Sequence, residues 1–202
     1  MRIARDGYPY LLVLLLVGAV LCAAGYLFVG AVFVALGLFV AFFFRDPDRS
    51  FSGDTRKVVS PADGKIVSIR KEGDLDAISI FLSVFNVHVN RAPVAGTVSQ
   101  VRYIPGKFMG AFYEKASTEN ERNSITIRRQ DGSQVTFVQI AGLIARRIVC
   151  WKKEGETLSA GERIGLIKFG SRVDVIFPPG SRIEVRMGQK VRAGETIIGE
   201  VP

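Results

Sequence analysis

The sequence predicts a mainly β protein, a small sandwich- or barrel-like domain with carrier-like hairpin repeats behind an N-terminal membrane helical hairpin. Three observations carry that expectation. Residues 10–44 contain no charged side chain, short apolar or alternating runs separated by Gly, Pro, Asp and Asn fill the chain after residue 50, and one hairpin-like pattern occurs twice near the C-terminus. At 202 residues the chain has room for one soluble domain plus a membrane element, and too little for two ordinary domains.

The apolar run exceeds the roughly 20 residues of a single bilayer span, yet falls short of two full spans with a generous loop. A tight hairpin of two short helices, or one that only dips into the bilayer, fits that length. A cleaved signal peptide does not, because its apolar core would cover only about 7–15 residues. Arg2 and Arg5 precede the run and Arg45 and Arg49 follow it, which places both ends and the soluble domain on the cytoplasmic side of the cell membrane. Gly18, Gly25, Gly30 and Gly37 lie inside the run and suit close helix packing.

Arg45-Asp46-Pro47-Asp48-Arg49 is a polar, proline-interrupted exit, so the expected division is a membrane anchor at 1–44 and a β-rich domain at 45–202. Strands are expected at 58–59, 65–69, 77–82, 96–103, 124–128, 134–140 and 163–169. Many short strands with turn signals indicate a sandwich or barrel. Helical turns are expected only around 108–116 and 117–122. The stretch Gly155 to Gly165 resembles Gly188 to Gly199, each with an apolar residue before Ala-Gly-Glu and an isoleucine after it. The pattern is similar to biotinyl and lipoyl carrier hairpins, but no lysine stands at a suitable tip, so the repeat reads as scaffold.

The net charge of +8 favours anionic lipid headgroups. Nucleic acid ranks well below, since the basic residues are scattered and no binding motif is present. The two cysteines, Cys22 in the apolar run and Cys150 beside Trp151, do not make a disulfide framework.

The most informative stretch is Phe169-Gly170-Ser171-Arg172-Val173-Asp174-Val175-Ile176-Phe177, which sets a Gly-Ser bond between two apolar runs. Most such pairs are turns. Here Gly170 leaves its carbonyl open to approach, and Ser171 is a weak nucleophile until a base takes its proton. The chain has one histidine, so His88 is the candidate base, although a lone histidine is more often structural. Asp63, in Ser60-Pro61-Ala62-Asp63-Gly64, reads first as turn chemistry.

Taken together, Phe43-Phe44-Arg45-Asp46-Pro47, Ser60-Pro61-Ala62-Asp63-Gly64, His88 at a strand end, Gly106-Lys107-Phe108 leading to Glu119-Asn120-Glu121-Arg122-Asn123, and Gly170-Ser171 before Pro178-Pro179-Gly180 resemble the phosphatidylserine decarboxylase family in its short form. That resemblance implies a self-processing proenzyme. In it Asp63 orients His88, His88 deprotonates Ser171, and Ser171 attacks the Gly170 carbonyl, a division of labour like that of a serine protease triad. The ester then eliminates to leave a chain of residues 1–170 and a chain of residues 171–202 capped by a pyruvoyl group made from Ser171. The resemblance implies that this ketone condenses with the serine amine of a phospholipid and accepts the electrons as carbon dioxide departs. No external cofactor or metal is expected.

Longer members of the family carry a second histidine shortly before the position of His88, where Phe85 or Asn86 stands here. His88, water or another donor would then protonate the product. Arg91, Lys107, Arg122 and Asn123 are the candidate headgroup donors, with solvated surface charge as the bland alternative. Phe108, Met109 and Phe112 suit either a lipid interface or the core. The tails could be diacyl or archaeal ether chains, so archaetidylserine decarboxylase is the nearest alternative. A noncatalytic membrane-tethered carrier-like domain and a membrane serine hydrolase are the more distant ones. Exposed sheet edges make a homo-oligomer reasonable.

Overall fold

The computed structural model describes residues 2–110, 116–142, 147–168 and 171–202. It divides into two compact units, Met1–Asp48 and Arg49–Pro202.

In the first unit β1 (Arg2–Ile3) pairs antiparallel with β2 (Arg45–Asp46). Between them lie a 3-10 turn (Arg5–Gly7), α1 (Tyr8–Ala23) and α2 (Leu27–Phe43). Gly25 adopts φ 89° between the helices, a conformation that favours glycine and lets the chain reverse. A Cβ placed on Gly30 would lie 2.8 Å from the Gly18 carbonyl oxygen, so the helices approach through backbone at these two small residues. Leu12, Leu16, Leu27 and Phe28 remain exposed, as expected of helices that are apolar all round. By length and composition Arg5–Ala23, with mean hydropathy 1.8, suffices to cross a membrane, while Leu27–Phe43 is shorter.

The second unit is almost entirely β: β3 (Lys57–Val59), β4 (Gly64–Glu72), β5 (Leu75–Leu82), β6 (Val89–Arg91), β7 (Gly96–Ile104), β8 (Arg122–Arg128), β9 (Gln134–Ile140), β10 (Arg147–Cys150), β11 (Thr157–Leu158), β12 (Arg163–Lys168), β13 (Ser171–Ile176), β14 (Arg182–Ile183), β15 (Lys190–Val191) and β16 (Ile197–Glu200), with one short helix, α3 (Ala116–Glu119). The mainly β class predicted from the strand and turn pattern is the one observed. The helical turn expected over 117–122 stops at Glu119, because the Glu119 carbonyl accepts the Lys107 amide and the Glu121 amide is taken by the Lys107 carbonyl. The chain then enters β8.

An eight-stranded sheet runs β11-β7-β8-β9-β13-β5-β4-β15, and two three-stranded sheets run β10-β12-β6 and β14-β16-β3. These orders reveal a duplication larger than the repeated hairpin. Reading outward from the centre of the large sheet, β9, β8, β7 and β11 match β13, β5, β4 and β15, and each small sheet matches the other strand for strand. The pairing registers agree: Leu158 opposes Gly96 as Val191 opposes Gly64, and Asn90 opposes Gly165 as Val58 opposes Gly199. At the crossing of the two halves the Val59 amide donates to the Pro93 carbonyl and the Arg91 amide to the Pro61 carbonyl, each at 2.9 Å. One copy, β6 to β12, is inserted into the other between β5 and β13.

The insertion explains why the chain crosses between sheets where it does. In the inserted copy β8 and β9 are joined by a short turn, residues 129–133, closed by the Arg129 amide on the Ser133 carbonyl at 2.9 Å. Their twins β5 and β13 are equally close partners, yet the whole inserted copy connects them. The core between the sheets is built from Val58, Ile66, Ile78, Ile80, Leu82, Ile125, Ile127, Phe137, Ile164, Val173 and Val175 among others, the inward-facing alternate residues of each strand.

Candidate active site

Ser171 opens β13 directly opposite Leu82, the last residue of β5. Side chains alternate along a strand, so Ser171 points to the same side as Val173 and Val175, which belong to the core. Its residue is fully buried, and its Oγ has no hydrogen-bond partner among the described residues. A buried hydroxyl without a partner destabilises a fold, so the position is unexplained by packing. Gly170, on the other side of the expected cleavage bond, lies outside the described residues, as does Phe112.

His88 sits in the other connection between the two copies. Leu82 opposes Ser171 in the large sheet and Val89 opposes Leu166 in a small one. Leu82 and Val89 therefore belong to the same two sheets as Ser171 and Leu166, in the opposite order along the chain. The single histidine lies in the connection that leaves Leu82, the residue opposite Ser171, and is 83 residues from that serine in sequence. His88 is buried, and its Nδ1 lies 2.9 Å from the Asn86 carbonyl oxygen. A carbonyl oxygen only accepts, so this bond assigns the ring proton to Nδ1 and leaves Nε2 with the lone pair a base requires.

Asp63 lies at the β3–β4 corner, one residue before Gly64. Lys65 opposes Phe81 and Ser171 opposes Leu82, so the corner sits level with Ser171 two strands away, about 10 Å at ordinary strand spacing. A Cβ at Gly64 would collide with the Phe81 carbonyl, which is why glycine follows Asp63 here. The described bonds of the Asp63 carboxylate go to Arg49, with Nη1 at 2.5 Å from Oδ1 and Nη2 at 3.0 Å from Oδ2, and to the Ala193 amide at 2.8 Å. Arg49 Nη1 also donates to the Ala193 carbonyl at 2.9 Å, and its Nε lies 3.3 Å from Glu195. The sequence presents Arg49 as a flanking positive charge. The fold makes it the clamp on Asp63.

Of the expected headgroup donors, Arg91 and Asn123 are brought into the interior and Lys107 and Arg122 are not. Arg91 is 2% exposed and donates from Nη1 to the Gly161 carbonyl at 2.9 Å. Asn123 is buried and donates from Nδ2 to Gln139 Oε1 at 3.1 Å. Gln139 in turn donates from Nε2 to Asn90 Oδ1 at 2.9 Å. This polar chain crosses an otherwise apolar core and passes beside β13, since Gln139 opposes both Asn123 and Val173. Lys107 is surface-exposed and pairs with Glu119 at 2.9 Å. Arg122 donates to the Thr118 and Asn120 carbonyls and lines a cavity of about 210 Å³ with Arg70, Ser117 and Asp174, on the face of the sheet turned away from Ser171.

That outer face carries a second buried polar cluster. Arg172 Nε lies 2.8 Å from Asp174 Oδ1, Arg70 Nη2 lies 3.0 Å from Oδ2, and Ser117 Oγ donates to Oδ2 at 2.7 Å. Burial pushes the Asp174 carboxyl up, but the Arg172 charge and the hydrogen bonds from Arg172, Ser117 and Ser79 outweigh it and hold the group below its usual range. Arg70 and Asp174 stand on opposite sides of the expected cut, so this pair ties the two segments together. No group of three or more metal-ligating side chains occurs among the described residues.

The grip of Arg49 on Asp63 and the buried bond between Gln139 and Asn90 are not legible in the sequence. The available signal was weak: Asn90 and Arg91 follow His88 in a run where the matching positions of the other copy, Val58 and Val59, are apolar.

The chain is similar to known proteins over nearly its whole length. The family model described as phosphatidylserine decarboxylase matches residues 36–199. The chain is 51% identical to the phosphatidylserine decarboxylase proenzyme of Ralstonia nicotianae over 98% of its own length and 95% of the relative's. The proenzyme of Ralstonia pickettii is also 51% identical with the same coverage. That of Burkholderia cenocepacia is 48% identical over 98% of the chain and 96% of the relative.

Proposed function

The chain belongs to the phosphatidylserine decarboxylase family, and from that premise we propose that it is made as a proenzyme that cuts itself between Gly170 and Ser171. It is a carboxy-lyase that converts phosphatidylserine to phosphatidylethanolamine and carbon dioxide. The observation that carries the processing step is the Ser171 hydroxyl, fully buried at the head of β13 and without a partner among the described residues.

His88 Nε2 takes the Ser171 proton, with the ring held by the Asn86 carbonyl at Nδ1. Ser171 Oγ adds to the Gly170 carbonyl carbon, and the carbon–nitrogen bond breaks as the nitrogen receives a proton. The backbone amide becomes an ester. Removal of the Ser171 α-proton then breaks the Cβ–O bond and releases the Gly170 carboxylate, leaving dehydroalanine at the head of the second chain. Hydrolysis of that residue releases ammonia and leaves the pyruvoyl group. Asp63, fixed by Arg49, sets the β3–β4 corner level with this bond.

The buried, unpartnered position of Ser171 fits such a group, because the ketone that replaces the hydroxyl amino acid would lie at the end of a strand held on both sides. When formed, the group supplies an electron sink for loss of carbon dioxide. Residues 1–170 and 171–202 stay associated because β13 lies between β9 and β5 in the middle of the large sheet. His88 serves as the acid that protonates the product carbon. Arg91, Lys107, Arg122 and Asn123 remain the candidate headgroup donors, with Lys107 and Arg122 the more accessible. Residues 1–44 anchor the enzyme in the cell membrane and 45–202 form the decarboxylase domain on the cytoplasmic side.

Intact-mass analysis of the purified protein tests the proposal. Two fragments are expected, the smaller lacking the Ser171 nitrogen and gaining two hydrogens on borohydride reduction. An active preparation made of one continuous chain with an ordinary serine at 171 overturns it.

A further inference from the structure

Residue 171 is paired on one side only. β13 pairs with β5 from Ser171 onward, but its pairing with β9 begins at Arg172, opposite Ile140. Cleavage before Ser171 leaves that residue as an overhang at the head of a strand, and chain ends are poorly ordered unless something ties them down. Arg172 is the first residue in a position to do so.

Its side chain is locked on the outer face of the sheet. Nε lies 2.8 Å from Asp174 Oδ1, and Nη2 donates to Ser79 Oγ at 2.6 Å. Ser79 stands directly opposite Asp174 on β5 and also accepts from Arg70 Nη1 at 2.6 Å. Arg70 Nη2 and Ser117 Oγ donate to Asp174 Oδ2 at 3.0 and 2.7 Å. Arg172 and Asp174 are each 2% exposed, and Ser79 is fully buried. Arg70, Ser79 and Ser117 belong to the larger chain of the cut protein, Arg172 and Asp174 to the smaller.

The duplicated fold supplies an internal control. Arg128 opposes Gln134 as Phe81 opposes Arg172, and Thr126 opposes Thr136 as Ser79 opposes Asp174. The register shift between Val98 and Gln100 repeats the one between Ile66 and Ser68, so Arg102 matches Arg70. In the inserted copy Gln134 and Arg102 are exposed, and the Thr126 and Thr136 hydroxyls share one hydrogen bond at 2.9 Å. The strand that keeps its covalent neighbour through the turn 129–133 carries a neutral pair. The strand that loses its neighbour carries the ionic network. Buried ion pairs add little stability over well-packed neutral replacements, so stability alone does not account for the difference.

We propose that Arg172 and Asp174 are positioning residues for turnover, an assignment that rests on the self-cleavage reading above. Once the bond before residue 171 is gone, their network with Ser79, Arg70 and Ser117 keeps the carbonyl-capped end in register with β5. Before the cut the chain tethers the same residue from both directions, and the network is dispensable. Side chains alternate along β13, so Arg172 and Asp174 face away from the Ser171 side chain and act through the position of the strand.

Arg172→Gln/Asp174→Thr writes the inserted copy's residues into β13. The full-length double variant is expected to cut itself at close to the parent rate, while kcat per borohydride-reducible ketone falls about 10- to 100-fold, the scale of a displacement of about 1 Å at a reacting group. Amide hydrogen exchange over residues 172–176 gives a second readout. It should be faster than in the parent when the variant is cut, and parent-like when Ser171→Ala keeps the variant whole. A parent value of kcat per ketone overturns the assignment. So does a variant in which cleavage slows together with turnover, or in which exchange quickens in the uncut form as well, since a merely structural role gives those results. If the double variant does not melt cooperatively, Ser79→Ala, which removes the acceptor shared by Arg70 and Arg172, decides by the same comparison. A parent protein that stays one chain refutes the self-cleavage reading itself, a result visible before any variant is made.

Discussion

Arg49 grips Asp63 through both terminal nitrogens, at 2.5 and 3.0 Å, in a pair whose side chains are only 8% and 12% exposed. Removing one partner of a buried ion pair leaves the other charge uncompensated, which typically costs about 3–5 kcal/mol. Arg49→Gln is therefore expected to lower the unfolding free energy by about that much and to slow self-cleavage as the β3–β4 corner loosens. Denaturant unfolding in a Ser171→Ala background measures the first effect separately from the second. A loss under about 1 kcal/mol would show that the pair behaves as a surface contact.

Ser171→Ala should give a single uncut chain of unchanged or slightly greater stability. The hydroxyl has no partner to lose among the described residues, and an unsatisfied buried polar group is itself destabilising. His88→Ala should also remain uncut. The combination of a native-like melting temperature with a continuous polypeptide distinguishes loss of the nucleophile from loss of the fold.

Asp174 makes stability depend on pH in a definite direction. Burial raises its carboxyl, but Arg172 and its hydrogen-bonding neighbours bring the folded-state pKa below the unfolded one. Its contribution is then fully present above the unfolded value of about 3.9 and is lost as pH falls through the lower, folded value. Comparing Ser171→Ala with Ser171→Ala/Asp174→Asn, the double variant should be less stable at pH 7, with the gap closing as pH is lowered below about 4. A gap that is constant from pH 7 to pH 3 would assign the loss to packing.

The close approach of Gly30 to the Gly18 carbonyl leaves no room for a larger side chain. Gly30→Ile is expected to separate α1 from α2 while self-cleavage proceeds at the parent rate, because the serine, the histidine and the sheet that holds them all belong to Arg49–Pro202. Cross-linking between cysteines introduced on the two helices, scored beside the extent of cleavage, reads both effects in one experiment.

Local chemistry made much of the β domain legible in advance. Alternating apolar residues and turn glycines marked β4, β5, β7, β8, β9 and β12, since a strand's own side chains encode which face is buried. A candidate nucleophile and a candidate base could be proposed because one histidine and one Gly-Ser pair in a strand-like setting left few choices. The short strands β6 and β10 escaped notice, because three or four residues carry too little pattern to register. The exposed or buried fate of Arg49, Arg91 and Asn90 was equally hidden, because an isolated polar residue looks the same in sequence whether it faces water or an ion partner.

Only the tertiary structure showed that one copy of the fold is threaded into the other. That insertion sets Ser171 opposite Leu82, the residue from which the connection carrying His88 departs. It also turns Asn90 inward where its twin is valine. The sequence determined which groups were available for chemistry. Their placement in the fold was decided by long-range strand pairing, whose partners lie tens of residues apart and leave no local trace.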